Sequence, residues 1–76
     1  MGINQKGDAM NIQIIKETRE NEAPLYKAFE IKNGVGFFTH HLSNNVSALV
    51  EELEQITPKP VITFDNASRL DFWKSL

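Results

Sequence analysis

Residues 25–41 read LYKAFEIKNGVGFFTHH, two apolar-rich runs that meet at Asn33-Gly34. Asn-Gly at the centre of a two-residue loop is the strongest short-range hairpin signal, because a type I′ turn needs φ > 0 at both positions. The stretch therefore reads as strands over 25–31 and 35–41. A two-residue loop sets Lys32 opposite Val35, Ile31 opposite Gly36, Glu30 opposite Phe37 and Phe29 opposite Phe38. Continued without interruption, it sets Ala28 opposite Thr39, Lys27 opposite His40 and Tyr26 opposite His41. Alternation puts Leu25, Lys27, Phe29, Ile31, Phe38 and His40 on one face, and Tyr26, Ala28, Val35, Phe37 and His41 on the other. The first face is the more apolar near the turn and is assigned to the core. The second is expected to be open.

Working outward, the hairpin is preceded by a strand over 11–18, in which Ile12 and Ile14 share a face and Gln13, Ile15 and Glu17 share the other. A charged loop ending at Pro24 separates the two. Residues 1–9 are polar, contain glycine and lack periodicity, and are expected to form a disordered leader before a single domain over 10–76. After the hairpin, Val46, Leu49, Val50, Leu53 and Ile56 recur at helical spacing. Ser43 or Asn44 is the expected cap, and Thr57, which precedes Pro58, marks the stop. A strand over 61–65 follows, with Ile62 and Phe64 facing in. A short helix reaches about Ser75, capped by Asp65 or Asn66 and turning Ala67, Leu70 and Trp73 inward.

The order is β-β-β-α-β-α, an α+β fold. The third strand runs parallel to the first, so a right-handed crossover lays the fourth strand parallel to both, and the free edge beside the first strand offers it a place. The spatial order expected is 3-2-1-4, with the long helix on one face. This element order resembles the front half of the ribonuclease H topology and the partial version of it in HicB-type antitoxins. The resemblance implies a set of metal-binding carboxylates for a nuclease, one of them in the middle of the first strand. Here that strand carries Asn11, Gln13 and Glu17 and no central Asp. Glu51, Glu52 and Asp65 are scattered, and read as a solvated helix face and a helix cap. The glycine- and proline-rich segment of the HicB type is also missing.

Composition narrows the function classes. The chain has 76 residues, no cysteine and a formal net charge of −2, with a pI near 5.6. One small domain is expected, burying roughly 60% of the surface of its unfolded chain. Without cysteine there is no disulfide or Cys-based zinc site. Without a basic excess, non-specific nucleic-acid binding is disfavoured. No apolar run has the length of a membrane span, and no signal-peptide pattern opens the chain, so a soluble, cytoplasmic protein with no membrane partner is expected.

No catalytic constellation assembles. His40 and His41 are adjacent on a strand and point to opposite faces, so they do not chelate one ion. Ser43 lacks a nucleophile elbow, and Gly34-Val35-Gly36 is too short for a phosphate loop. Asn45-Val46-Ser47 and Asn66-Ala67-Ser68 match the glycosylation sequon but sit where helix caps are favoured. No enzyme activity, cofactor or metal is expected. The candidate interaction surface is Tyr26, Val35, Phe37 and His41 on the open face, with Phe72 on the last helix as a second docking point. The functional expectation is a non-enzymatic protein-interaction module or homodimer. The alternative is a nucleic-acid-associated regulator of the antitoxin or phage-accessory type, stacking bases on the open sheet face.

Overall fold

The computed structural model describes residues 9–76. The leader expected over 1–9 lies outside them, except for Ala9. The elements are β1 (Asn11–Glu17), β2 (Leu25–Lys32), β3 (Val35–Ser43), α1 (Val46–Leu53), β4 (Val61–Phe64) and α2 (Asn66–Lys74). They form an α+β fold with one four-stranded mixed sheet in the order β3-β2-β1-β4. β1 pairs antiparallel with β2 and parallel with β4, as the strand directions predicted.

Both helices cover the same side of this sheet. Ile12 and Ile14 of β1, Tyr26 and Ala28 of β2, and Val46, Leu49, Val50 and Leu53 of α1 form the core, with Ile56, Ile62, Phe64 and Phe72 packed around it. The α1 stripe is the one its spacing predicts. Its cap is Asn45, not Ser43 or Asn44. The Asn45 side chain accepts the Ala48 N–H at 3.1 Å, while the Ser43 hydroxyl accepts the Asn45 N–H and the Asn44 amide donates to the Pro24 carbonyl. All three polar residues are thus used, each on a different link of the turn into the helix. α1 also ends at Leu53, short of Thr57. Gln55 and Ile56 donate to the Glu52 and Leu53 carbonyls, an i→i+3 tightening that ends the helix. Pro58 limits how far a helix can run, but it does not set where the chain has to turn.

The two faces of the hairpin are exchanged relative to the expectation. Residues directly opposite one another share a face, and β1 pairs Ile14 with Ala28 and Lys16 with Tyr26. Once Ile12 and Ile14 lie under α1, Tyr26 and Ala28 must as well, and Phe29 and Ile31 go to the other side. Apolar content near the turn was a poor guide because the hairpin tip projects beyond the helices, where Val35 and Phe37 stay about half exposed. Small Ala28 and long Tyr26, nearer the loop ends, sit beneath the helices instead.

The hairpin register holds from Lys32↔Val35 to Phe29↔Phe38, then shifts: Lys27 faces Leu42 and Tyr26 faces Ser43. Two extra residues of β3 are absorbed here, around His40, whose φ is +70°. The Thr39 hydroxyl holds the irregularity, donating to the Ala28 carbonyl at 2.8 Å and accepting the His41 N–H at 3.2 Å. Such bulges bend and twist a strand and end its regular pairing.

α2 is rotated by about one residue from the expected orientation. Its cap is Asp65, but Ser68, Asp71 and Phe72 face the sheet while Ala67, Leu70 and Trp73 face out. Polar bonds, not an apolar stripe, set this rotation, as described next.

Candidate interaction surface

One cluster of charged side chains fixes α2. Asp65 ends β4 and accepts from two directions: Oδ1 takes the Ser68 N–H at 2.8 Å, and Oδ2 takes the Lys16 N–H of β1 at 3.0 Å. Six residues further on, one face of α2 presents Asp71. Its carboxylate accepts the Tyr26 hydroxyl and pairs with the Lys16 ammonium at 2.7 Å. Burial, reinforced by the Asp71 carboxylate, pushes the Tyr26 hydroxyl up to about 12. Bonds from Lys16 and Tyr26 hold Asp71 below the usual carboxylate range. Burial alone would raise Asp65, but the Ser68 and Lys16 hydrogen bonds outweigh it and leave it lowered. Asp71 is ion-paired, Asp65 is held by backbone N–H donors, and the raised phenol keeps its proton at neutral pH. The cluster ties a helix to a sheet, and presents no free nucleophile or base.

The predicted surface residues are dispersed. Tyr26 is buried in the core under α2. His41 turns toward α1, where its ring contacts the Glu52 carboxylate. Phe72 stacks on Phe64 with ring centroids 5.1 Å apart, and belongs to the core rim. Only Val35 and Phe37 are open, at the hairpin tip. Trp73, expected inside, is 60% exposed. Adjacent helix residues are about 100° apart, so one of Phe72 and Trp73 had to face out. The polar bonds of Asp71 chose Trp73.

The extended apolar surface is the sheet face that carries no helix. There β1 places Ile15, β2 places Phe29 and Ile31, β3 places Phe38 and Leu42, and β4 places Val61. Ile15, Phe38, Leu42 and Val61 are 36–53% exposed. Phe38 packs against Phe29 at 5.6 Å and against the His40 ring at 4.9 Å between centroids. The charged pair of this face is Lys27 and Glu17, 2.7 Å apart. Lys27 also lies 5.9 Å from the Phe38 ring centroid, within cation–π range. It holds the Glu17 carboxyl below its ordinary value. His40 and His41 end on opposite sides of β3, one against Phe38 and one against Glu52.

Sequence reasoning missed Ile15, Leu42 and Val61. A signal existed for two of them. Ile14-Ile15 breaks the alternation of β1, so one isoleucine had to face away from the core, and Val61 is out of phase with Ile62 and Phe64. Leu42 carried none, because its face depends on the bulge.

Among the described residues no pocket opens, and no group of three or more His, Asp or Glu residues gathers as a metal site. Among the described residues no helix is long and apolar enough to cross a membrane. No protein-family model, curated protein or solved structure matches this chain.

Proposed function

We propose that this protein is a non-enzymatic protein-interaction module of the cytoplasm that binds through the helix-free face of its sheet. One observation carries the reading: all four strands place a partly exposed large apolar residue on the same helix-free face (Ile15, Phe38, Leu42, Val61). Contiguous apolar surface rimmed by polar groups marks interaction sites, whereas singly scattered apolar residues do not. Phe29, Ile31 and Phe38 adjoin on β2 and β3, while Lys27 stands between Leu42 and Ile15 and Asn11 lies beside Val61, with Glu17 and Thr63 at the margins. The Lys16–Asp71 ion pair and the Tyr26–Asp71 hydrogen bond, which tie α2 to the sheet, support a structural rather than a catalytic role for the polar cluster.

A photo-crosslinking phenylalanine analogue at position 38, in cells that make the protein, is expected to give a protein–protein adduct on irradiation. The same analogue at Glu51, on the solvent side of α1, is expected to give none. No adduct from position 38, or equal adducts from both, would overturn the reading.

A second reading, a base-stacking platform, draws on the adjacent rings of Phe29, Phe38 and His40. The charge of the face speaks against it, since its lysine is already engaged by Glu17 and phosphate binding needs several free cations. Crosslinking to RNA in place of protein would favour it.

A further inference from the structure

We infer that the occupant of the helix-free face is a second copy of this chain, the two sheets stacked face to face about a two-fold axis. This rests on reading that face as the binding surface, and it names the partner.

Four features of the face point to self-association. The first is charge. Its ion pair, Glu17 with Lys27, leaves the face without net charge. Such a face neither selects an acidic or basic partner nor repels a copy of itself, and across an isologous interface the two pairs can exchange partners. The second is shape. A sheet twists with a fixed hand, and two equally twisted sheets pack well at about −30° between strand directions. A second copy supplies that matching twist by construction.

The third is area. Four strands about 4.8 Å apart, averaging about seven residues at about 3.3 Å each, give a footprint of about 19 by 23 Å. Counted on both partners this is roughly 900 Å² before side-chain relief is added, just under the about 1,000 Å² of a stable interface and in the range of weak, transient ones. The dimer is therefore reversible and concentration-dependent. The fourth is that edge-to-edge pairing is obstructed. β3 is broken by the shift at His40, and β4 has four residues and follows Pro58 and Pro60. Bulges, short edge strands and prolines all obstruct strand addition.

Sedimentation equilibrium of the purified chain tests the inference. The weight-average mass is expected to rise from one chain toward two between about 1 μM and 1 mM, the range of weak specific pairs. Salt at about 1 M, where the Debye length is near 3 Å, is expected not to weaken an apolar contact. Leu42→Glu sets a carboxylate opposite Lys27, which the folded monomer accommodates, yet leaves each face with net negative charge. It is expected to raise the dissociation constant at least tenfold while far-UV circular dichroism stays unchanged. Ile15→Lys, on another strand, provides the same readout if the first variant does not fold. Leu70→Glu, on the outward stripe of α2, is expected to leave the dimer intact.

A chain monomeric up to about 1 mM, or a dimer lost on Leu70→Glu and kept on Leu42→Glu, overturns the inference. If the purified chain is monomeric while position 38 still crosslinks to a different protein, self-association fails and the binding-module reading stands. If neither purified dimer nor cellular adduct forms, both fail.

Discussion

Ser68 is fully buried, and its hydroxyl makes no hydrogen bond of ordinary geometry, although it lies close enough to the Asp65 carboxylate to help lower it. Its backbone N–H serves the Asp65 cap, a role any residue at that position fills. A buried hydroxyl that makes no bond costs about 1–3 kcal/mol, and alanine is also the better helix former. Ser68→Ala is expected to raise stability by less than about 1 kcal/mol, because the lost interaction with Asp65 offsets part of the gain, measured as a higher urea midpoint at unchanged slope. A loss of similar size would mean that the hydroxyl is bonded. Tyr26 is the opposite case, a polar atom whose burial is satisfied by Asp71. Neither role was legible in sequence. Tyr26 read as an exposed aromatic because its hydroxyl partner lies 45 residues away, and Ser68 read as half of a sequon or a cap.

At the level of elements, the hairpin was legible at its turn and illegible at its base. Asn33 and Gly34 have φ of +53° and +78°, the pair of positive values that Asn-Gly was chosen to predict. A Cβ built on Gly34 meets nothing within 4 Å, so Gly34→Ala adds backbone strain without a clash. It is expected to cost about 1–2 kcal/mol, read as a lower urea midpoint; an alanine variant of unchanged midpoint would contradict the turn type. At the base, Thr39-His40-His41 contains no glycine to announce a bulge, yet His40 takes φ +70°. The Thr39 hydroxyl and the docking of His41 against Glu52 hold that conformation. α1 was legible because its apolar period is strong. α2 was not, because leucine, phenylalanine and tryptophan lie all around it and its orientation is chosen by two aspartates.

For the whole molecule, the Asp65–Asp71–Lys16–Tyr26 cluster sets the pH limits of the fold. Asp71 and Asp65 have pKa values lowered in the folded state. Their contribution is present above the ordinary carboxylate pKa and disappears as pH falls through the lowered folded values. Tyr26 is raised from 10.0 to about 12. The unfolded chain loses that proton first, so stability is complete below pH 10 and declines as pH rises from 10 to about 12. The urea midpoint is expected to fall below about pH 4 and to fall again above pH 10. Tyr26→Phe is expected to remove most of the alkaline fall and to lower the midpoint at pH 7. An alkaline fall of undiminished size in that variant would place its origin in other groups.

Local and sequential information was enough for the element order, the hairpin turn, the α1 core stripe and the strand order β3-β2-β1-β4. Each rests on a period, a turn residue or the parity of strand directions, all carried by neighbouring residues. Tertiary structure alone decided which sheet face the helices cover, how α2 is rotated and where the β3 register shifts. Those depend on contacts between residues far apart in sequence: Ile14 with Ala28, Asp71 with Lys16 and Tyr26, His41 with Glu52. A hairpin with apolar residues on both faces suits either orientation locally. Only the pairing of β1, together with a carboxylate on the last helix within reach of a tyrosine on the second strand, selects one of them.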